Sequence, residues 1–328
     1  MSETGNIEEL AKLISNDIFK WFKWKKRPIK DTDWKCVIEN HNKVTHPADV
    51  VFHYEDPYTG ETIYLNTDLK SYKKNSITTT SIENALKSLS ISIECANISE
   101  DWQSKFIVDD TLFEKVIGLL FIYNHDDQYD TDSEELFNKI DIEKINIQEF
   151  TKLIIFDPQR IRYLFNVVTD IKNLIADKKL PKKKNYTFFY PDLILSKRHG
   201  DEWNQPASIE ALTAPWLIIK HKKCTKSKEG FLVYYNKSGE TVEEFIYLLD
   251  ALSHYQMMLS NTPIRIRFTG SVPEAKNNLD KAKSEYLKTW GSDEARERQL
   301  GLIKASKISK VVANYCPMEI GMREDDES

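Results

Sequence analysis

Residues 48–72 read Ala48-Asp49-Val50-Val51-Phe52-His53-Tyr54-Glu55-Asp56-Pro57-Tyr58-Thr59-Gly60-Glu61-Thr62-Ile63-Tyr64-Leu65-Asn66-Thr67-Asp68-Leu69-Lys70-Ser71-Tyr72. Two runs rich in β-branched and aromatic residues flank Asp56-Pro57-Tyr58-Thr59-Gly60, whose Asp, Pro and Gly mark a turn, so the stretch is predicted to be a β-hairpin. Side chains alternate between faces of such a ribbon, and opposed positions keep a constant index sum. A turn centred between Tyr58 and Thr59 sets that sum at 117 and places Asp49 opposite Asp68, with Lys70 on the same face two residues on. The other face carries Val50, Phe52, Tyr54, Ile63, Leu65 and Leu69, an apolar side to pack. A three-residue loop would shift the sum by one and break the alignment.

Two carboxylates and an amine converging on one face suit a hard divalent cation, Mg²⁺ or Mn²⁺, which takes one or two carboxylates and completes its shell with water and substrate phosphate. Such a cation lowers the pKa of a bound water and shields charge on a scissile phosphate, while an ammonium at Lys70 orients the water or stabilises that charge. The chemistry expected is phosphodiester hydrolysis. Surface charges on an ordinary hairpin are the alternative reading of the same residues.

Outward from the hairpin, apolar spacing over residues 6–26 predicts a first helix that Pro28 stops. A helix over about 81–96, a buried strand at 116–123, an acidic loop at 126–135, a strand at 152–157 and a helix at 158–176 follow. This alternation predicts an α/β fold, a mixed central sheet with flanking helices. The lysine-rich, proline-interrupted stretch 178–184 reads as a linker, which divides the chain into domains 1–177 and 185–328. Beyond it, strands at 187–195, 216–222, 230–236 and 264–270 with helices near 208–212 and 242–258 give a βαββαβ order, a C-terminal α+β region of ferredoxin-like type. Helices near 274–289 and 293–302, a strand at 307–315 and a disordered acidic tail complete the expected layout.

The pattern Pro47-Ala48-Asp49 on one strand and Asp68-Leu69-Lys70 on the next resembles the PD-(D/E)xK nuclease superfamily, the restriction-endonuclease-like fold with its αβββαβ core. Ala48 separates the proline from the aspartate, so the literal PD pair is absent. Taken alone, D-x-K arises by chance in many chains; its strand position and hairpin partner supply the specificity. The resemblance covers residues 6–157 and implies a metal-dependent endonuclease of the kind found in restriction, repair or anti-phage defence. It implies Asp49 and Asp68 as metal ligands, the Leu69 carbonyl as a backbone ligand, Lys70 as the catalytic lysine, and Glu39 as the acid contributed by the preceding segment. A nuclease-fold module without activity, holding nucleic acid or a protein partner, is the alternative.

Across 328 residues, 46 Lys and Arg against 51 Asp and Glu give a net charge of −5, which excludes a passive nucleic-acid coat but not an enzyme with one local basic face. Lys73 and Lys74, directly after the second strand, are candidate phosphate contacts, as are Lys220, Lys222 and Lys223 in a basic run and His46 just before Asp49. Lys20, Lys23, Lys25, Lys26 and Arg27 interleave with Trp21, Phe22 and Trp24, either a base-stacking surface or core aromatics with a solvated basic face. Cys36, His41 and His46 have a spacing that matches no structural-zinc signature and are read as polar loop residues. Pro191-Asp192 spells a second PD pair, but no D/E-x-K follows it, so a second catalytic site is not expected. Four scattered cysteines and the lack of a long apolar run suit reduced thiols in the cytoplasm, away from membranes. The expected partner is nucleic acid, DNA rather than RNA, and a homodimer is expected because one site per chain must cut two strands.

Overall fold

The computed structural model describes residues 18–108, 113–126, 128–131, 133–145, 147, 151–193, 202–258, 261–291 and 293–309. Their contacts divide the chain between Phe165 and Asn166 into two units. The first holds strands β1 (Lys25–Lys35), β2 (Thr45–Glu55), β3 (Thr62–Tyr72), β4 (Phe113–Asn124) and β5 (Leu153–Phe156). They lie in chain order in one sheet, with β1·β2 and β2·β3 antiparallel and β3·β4 and β4·β5 parallel. Parallel neighbours need a crossover. Helices α1 (Thr79–Ala96) and α2 (Glu100–Phe106) make the first one, and short α3 (Ser133–Phe137) and α4 (Ile142–Ile145) lie along the second. The expected mixed sheet flanked by helices is the one found.

The hairpin forms in the register read from its turn. Val50 pairs with Thr67, Phe52 with Leu65 and Tyr54 with Ile63. Asp56 fixes the turn by accepting the N–H groups of Tyr58 and Thr59. The face carrying Val50, Phe52, Tyr54, Ile63, Leu65 and Leu69 is buried, and Phe19 and Trp24 close on it, with ring centroids of Phe19 and Phe52 4.8 Å apart and of Trp24 and Tyr54 5.3 Å apart. Phe22 and Trp24 are therefore core rather than a stacking surface for bases. The opposite face is not left to solvent: Val51 and Tyr64 pack under Leu86, Leu89, Trp102 and Phe106 of the crossover helices. Both faces of the sheet are thus covered, and the acids occupy only its edge where β3 ends.

One element departs from the expected helix over 6–26. Of its span, 6–17 lies outside the described residues; Phe19–Phe22 is a single 3-10 turn and β1 begins at Lys25. Pro28 sits inside β1 because β1 is an edge strand, and its pairing with β2 slips between Lys26 and Lys30, where a residue without an N–H breaks no ladder. In the acidic stretch 126–135, Glu134 and Glu135 belong to α3 rather than to a loop.

Helix α1 starts at a reciprocal cap, in which Thr78 accepts from the Ser81 N–H and the Ser81 hydroxyl accepts from the Thr78 N–H. It lies so close to β4 that a Cβ at Gly118 would stand 2.9 Å from Ile93 and 3.0 Å from Leu89 of the helix, and 2.6 Å from Leu153 of β5. Gly118→Ala is expected to cost about 1–3 kcal/mol through overpacking, read as a lower urea midpoint at unchanged slope; an unchanged midpoint would mean that α1 yields there.

Helix α5 (Pro158–Ala176) follows β5 and spans the division between the units. The second unit holds β6 (Tyr186–Phe188), α6 (Ile209–Thr213), β7 (Trp216–His221), β8 (Gly230–Tyr235), α7 (Val242–His254), β9 (Ile264–Phe268), α8 (Ala275–Trp290), α9 (Glu294–Gly301) and β10 (Ile303–Lys307). Its sheet also runs in chain order, β6·β7 and β7·β8 antiparallel, β8·β9 and β9·β10 parallel. This repeats the topology of the first sheet strand for strand. A ferredoxin-like unit interleaves its strands as a split βαβ; the expectation of one is corrected here, because α7 returns the chain to the strand beside β8. Among the described residues the last strand is Ile303–Lys307, and of the expected 307–315 the residues from 310 lie outside them. Stretch 178–184 is packed rather than loose: Leu180 is buried and the Lys178 carbonyl accepts the Lys226 N–H.

Candidate active site

Asp49 belongs to β2, and Asp68, Leu69 and Lys70 to the last turns of β3. The antiparallel ladder ends at Val50↔Thr67, and one step further along the same register brings Asp49 to Asp68. Asp49 Oδ2 accepts the Leu69 N–H at 2.7 Å, so the aspartate is fixed by the backbone of the very segment whose carbonyl the resemblance assigns to a metal. Lys70 Nζ lies 2.7 Å from Asp68 Oδ1. The sequence-derived trio therefore converges.

Burial pushes the Asp49 carboxyl up to about 6 against the pull of the Leu69 N–H; the carboxylates of Asp68 and Asp31 push the same way and Lys70 opposes them. Burial draws the Lys70 ammonium down, but the charge and hydrogen bond of Asp68, with Asp49 behind it, outweigh burial and hold the lysine above its ordinary value. Tyr72, next on the same face, has its phenol raised by burial, with Asp68 adding to the shift and Lys70 opposing it. Carboxylates crowded out of water and held by a strand backbone are a donor set that a doubly charged cation would relieve.

The structure adds Asp31, to which no sequence pattern points. It lies between the pairs Lys30↔Val50 and Thr32↔Ala48, hence across β2 from Asp49, and its charge acts on Asp49. Three acids thus stand along one rung of β1, β2 and β3. Asp31 holds a positive φ of 45°, a left-handed conformation that aspartate tolerates better than most residues. Its strand, Lys-Lys-Arg-Pro-Ile-Lys-Asp-Thr-Asp-Trp-Lys, has little apolar alternation, so no period announced it. Glu39, the acid expected from the preceding segment, lies exposed in the 3-10 turn Glu39–His41, away from the strand pairing that carries Asp31 to Asp49.

The expected phosphate contacts divide. Lys73 is exposed directly after β3. The Lys74 ammonium is engaged by Asp130 at 2.5 Å, and its N–H by Asp126. His46 has 0% exposure, and burial, with Lys43 and His41 adding to it, lowers its pKa to about 4; a neutral, enclosed ring offers a phosphate neither surface nor charge. In the second unit, Lys220 and Lys222 place their ammonium groups 4.8 and 4.7 Å from the ring centroid of Trp203, and Lys223 is exposed. Around Pro191 and Asp192 no acid-x-lysine strand is formed: Trp216 and Tyr235 pair at the end of β7 and β8 that corresponds to the acid rung of the first sheet.

A mixed five-stranded sheet with crossover helices on its parallel side and an acid, acid and lysine where its central hairpin ends defines a nuclease domain of the PD-(D/E)xK class. Residues 1–160 match the family model of the GAPS4 protein PD-(D/E)XK nuclease domain, a match that supports the PD-(D/E)xK superfamily for this part of the chain. No curated protein and no solved structure matches the chain. Among the described residues, no helix is long and apolar enough to cross a membrane.

Proposed function

We propose that the chain is a divalent-metal-dependent endonuclease acting on DNA in defence against foreign genomes. The observation that carries this reading is the convergence of Asp49, Asp68 and Lys70 on one strand end with Leu69 held between them. Asp49, Asp68 and the Leu69 carbonyl would hold Mg²⁺ or Mn²⁺. When bound, that cation would supply Lewis-acid stabilisation and an acidified water. Asp49 keeps the Leu69 peptide oriented. Lys70 leaves Asp68 for the scissile phosphate or its attacking water, placing positive charge where negative charge develops. Lys73, with Lys74 when freed from Asp130, and Lys220, Lys222 and Lys223 would contact the nucleic-acid backbone. The first unit, up to Phe165, would act as the catalytic domain and the second, from Asn166, as a recognition or partner domain, in a cytoplasmic homodimer.

Incubating the pure protein with linear and circular duplex DNA, single strands and RNA in Mg²⁺ or Mn²⁺ is expected to show cleavage of DNA that Asp68→Asn abolishes. Cleavage of RNA alone would move the substrate class, and none under any condition would remove the enzyme reading. The closed Lys70–Asp68 pair favours one second reading, a silent module in which the lysine permanently replaces the cation. Calorimetric titration separates the two, since a silent module gives no Mg²⁺ or Mn²⁺ heat that disappears in Asp49→Asn.

A further inference from the structure

At the β1–β2 connection four side chains from separate segments meet. Cys36 follows β1, His41 lies in the turn Glu39–His41, His46 opens β2, and Cys95 is on the last turn of α1. We propose that these four residues hold a structural zinc ion that fastens the β1–β2 connection to helix α1.

One ligand atom from each of the four lies within 4.8 Å of all the others. Cys36 Sγ is 3.9 Å from Cys95 Sγ and 3.5 Å from His41 Nδ1. Tetrahedral zinc, with bonds of about 2.3 Å to sulfur and about 2.05 Å to nitrogen, requires edges of roughly 3.8 Å between sulfurs and roughly 3.6 Å between sulfur and nitrogen. The Cys36–Cys95 and Cys36–His41 pairs already stand at those separations, and the remaining pairs lie within 4.8 Å. Two thiolates and two imidazoles in a tetrahedral set select zinc among the common metals.

His46 is the independent observation. Its ring is wholly buried and neither nitrogen has a hydrogen-bond partner, a costly arrangement for an imidazole unless a ligand takes one of them. The surroundings are those of a metal site as well. His41 Nε2 meets Glu94 Oε2 at 2.9 Å, which leaves Nδ1 as the nitrogen turned toward Cys36 and supplies the carboxylate that typically orients a ligating histidine. The Val37 N–H donates to Cys95 Sγ at 3.2 Å. Binding Zn²⁺ releases one proton from each thiol and forms two Zn–S and two Zn–N bonds, with no change of oxidation state. A Cys36–Cys95 disulfide, in contrast, would need the sulfurs to close to about 2.05 Å and would leave His46 without a partner.

Full-length protein, made without a metal-binding tag and passed through buffer exchange, is expected to carry about one zinc per chain by elemental analysis. Cys36→Ser and Cys95→Ser lose it, whereas Cys224→Ser and Asp68→Asn keep it, which separates this site from the acid rung. Glu94→Gln is expected to weaken zinc retention against a competing chelator about 10- to 100-fold. Should the cysteine variants fail to fold, the unaltered protein still decides: reduced, zinc-stripped protein titrated with Co²⁺ gives the visible absorption of a tetrahedral thiolate-bound ion. Zinc-free protein with no such absorption, a Cys36–Cys95 disulfide found by thiol titration, or zinc that persists in both cysteine variants would overturn the proposal.

Discussion

Lys70→Ala is expected to reduce cleavage by about 10² or more, since removing one positioned electrostatic or proton-transfer group commonly costs that much, while divalent-cation affinity stays level or rises. The second half follows from geometry: the Lys70 ammonium lies 2.7 Å from an oxygen of Asp68, so a cation must displace it, and alanine removes the competitor. Asp49→Asn behaves differently. The asparagine oxygen can still accept the Leu69 N–H that Asp49 Oδ2 accepts, but the site loses a ligand charge, so cation binding and cleavage fall together. Because the folded protein raises the Asp49 carboxyl to about 6, the charged form is disfavoured by folding: the folded state holds more protons than the unfolded one between the ordinary carboxylate pKa and about 6, and stability falls as pH rises through that window. At pH 7 the neutral asparagine is therefore expected to raise the melting temperature. Activity lost while stability is gained marks a functional acid; a variant that loses both would make the trio a structural device and remove the catalytic assignment.

Asp170→Ala is expected to cost about 3–5 kcal/mol in the second unit, the loss typical of stripping one partner from a buried ion pair. Asp170, on α5, accepts from Arg267 Nε at 2.9 Å, is bridged by a second guanidinium nitrogen, and accepts the Tyr234 hydroxyl at 3.0 Å. Its truncation strands a guanidinium and a phenol together beneath the sheet. Set against a total of about 5–15 kcal/mol for a domain, such a loss should appear as an early, separate transition in urea. Asp170→Asn, which keeps an acceptor for Tyr234, should lose less. Equal midpoints for both variants and the parent would mean that solvent reaches the pair.

The parts of the fold that were legible share a cause. The β2–β3 hairpin announced itself because Asp56, Pro57 and Gly60 fix a turn and the turn fixes the register; Pro158 marked the start of α5 for a similar local reason. What stayed hidden was set by tertiary contact. Strand β1 is polar and proline-broken, and it is a strand because the edge of β2 is open to it. Without it Asp31 has no place in the pattern, and the resemblance points to Glu39 instead. Cys95 carries no spacing signal because a full hairpin and most of a helix separate it from Cys36, so two histidines and a cysteine looked like loop polarity. The second sheet showed its strands but not their order, since helix and strand sequence alone do not say whether a strand lands beside its predecessor or one place further on.

The row formed by Asp31, Asp49 and Asp68 would, as a cation site, tie the stability of the first unit to the salts around it. Three like charges on neighbouring strands repel at the point where the sheet ends, and Lys70 offsets only part of that. A cation that binds this row in the folded chain and not in the unfolded one adds RT ln(1 + [M]/Kd), about 2.7 kcal/mol at a hundredfold excess over Kd. The melting temperature would then rise with free Mg²⁺ or Mn²⁺ and respond little to Na⁺ at matched ionic strength. On the proposed reading, chelation, dilution or depletion of divalent ions would loosen the first unit before any substrate is present, so that the ionic medium would set how much folded protein there is as well as the rate of any cleavage.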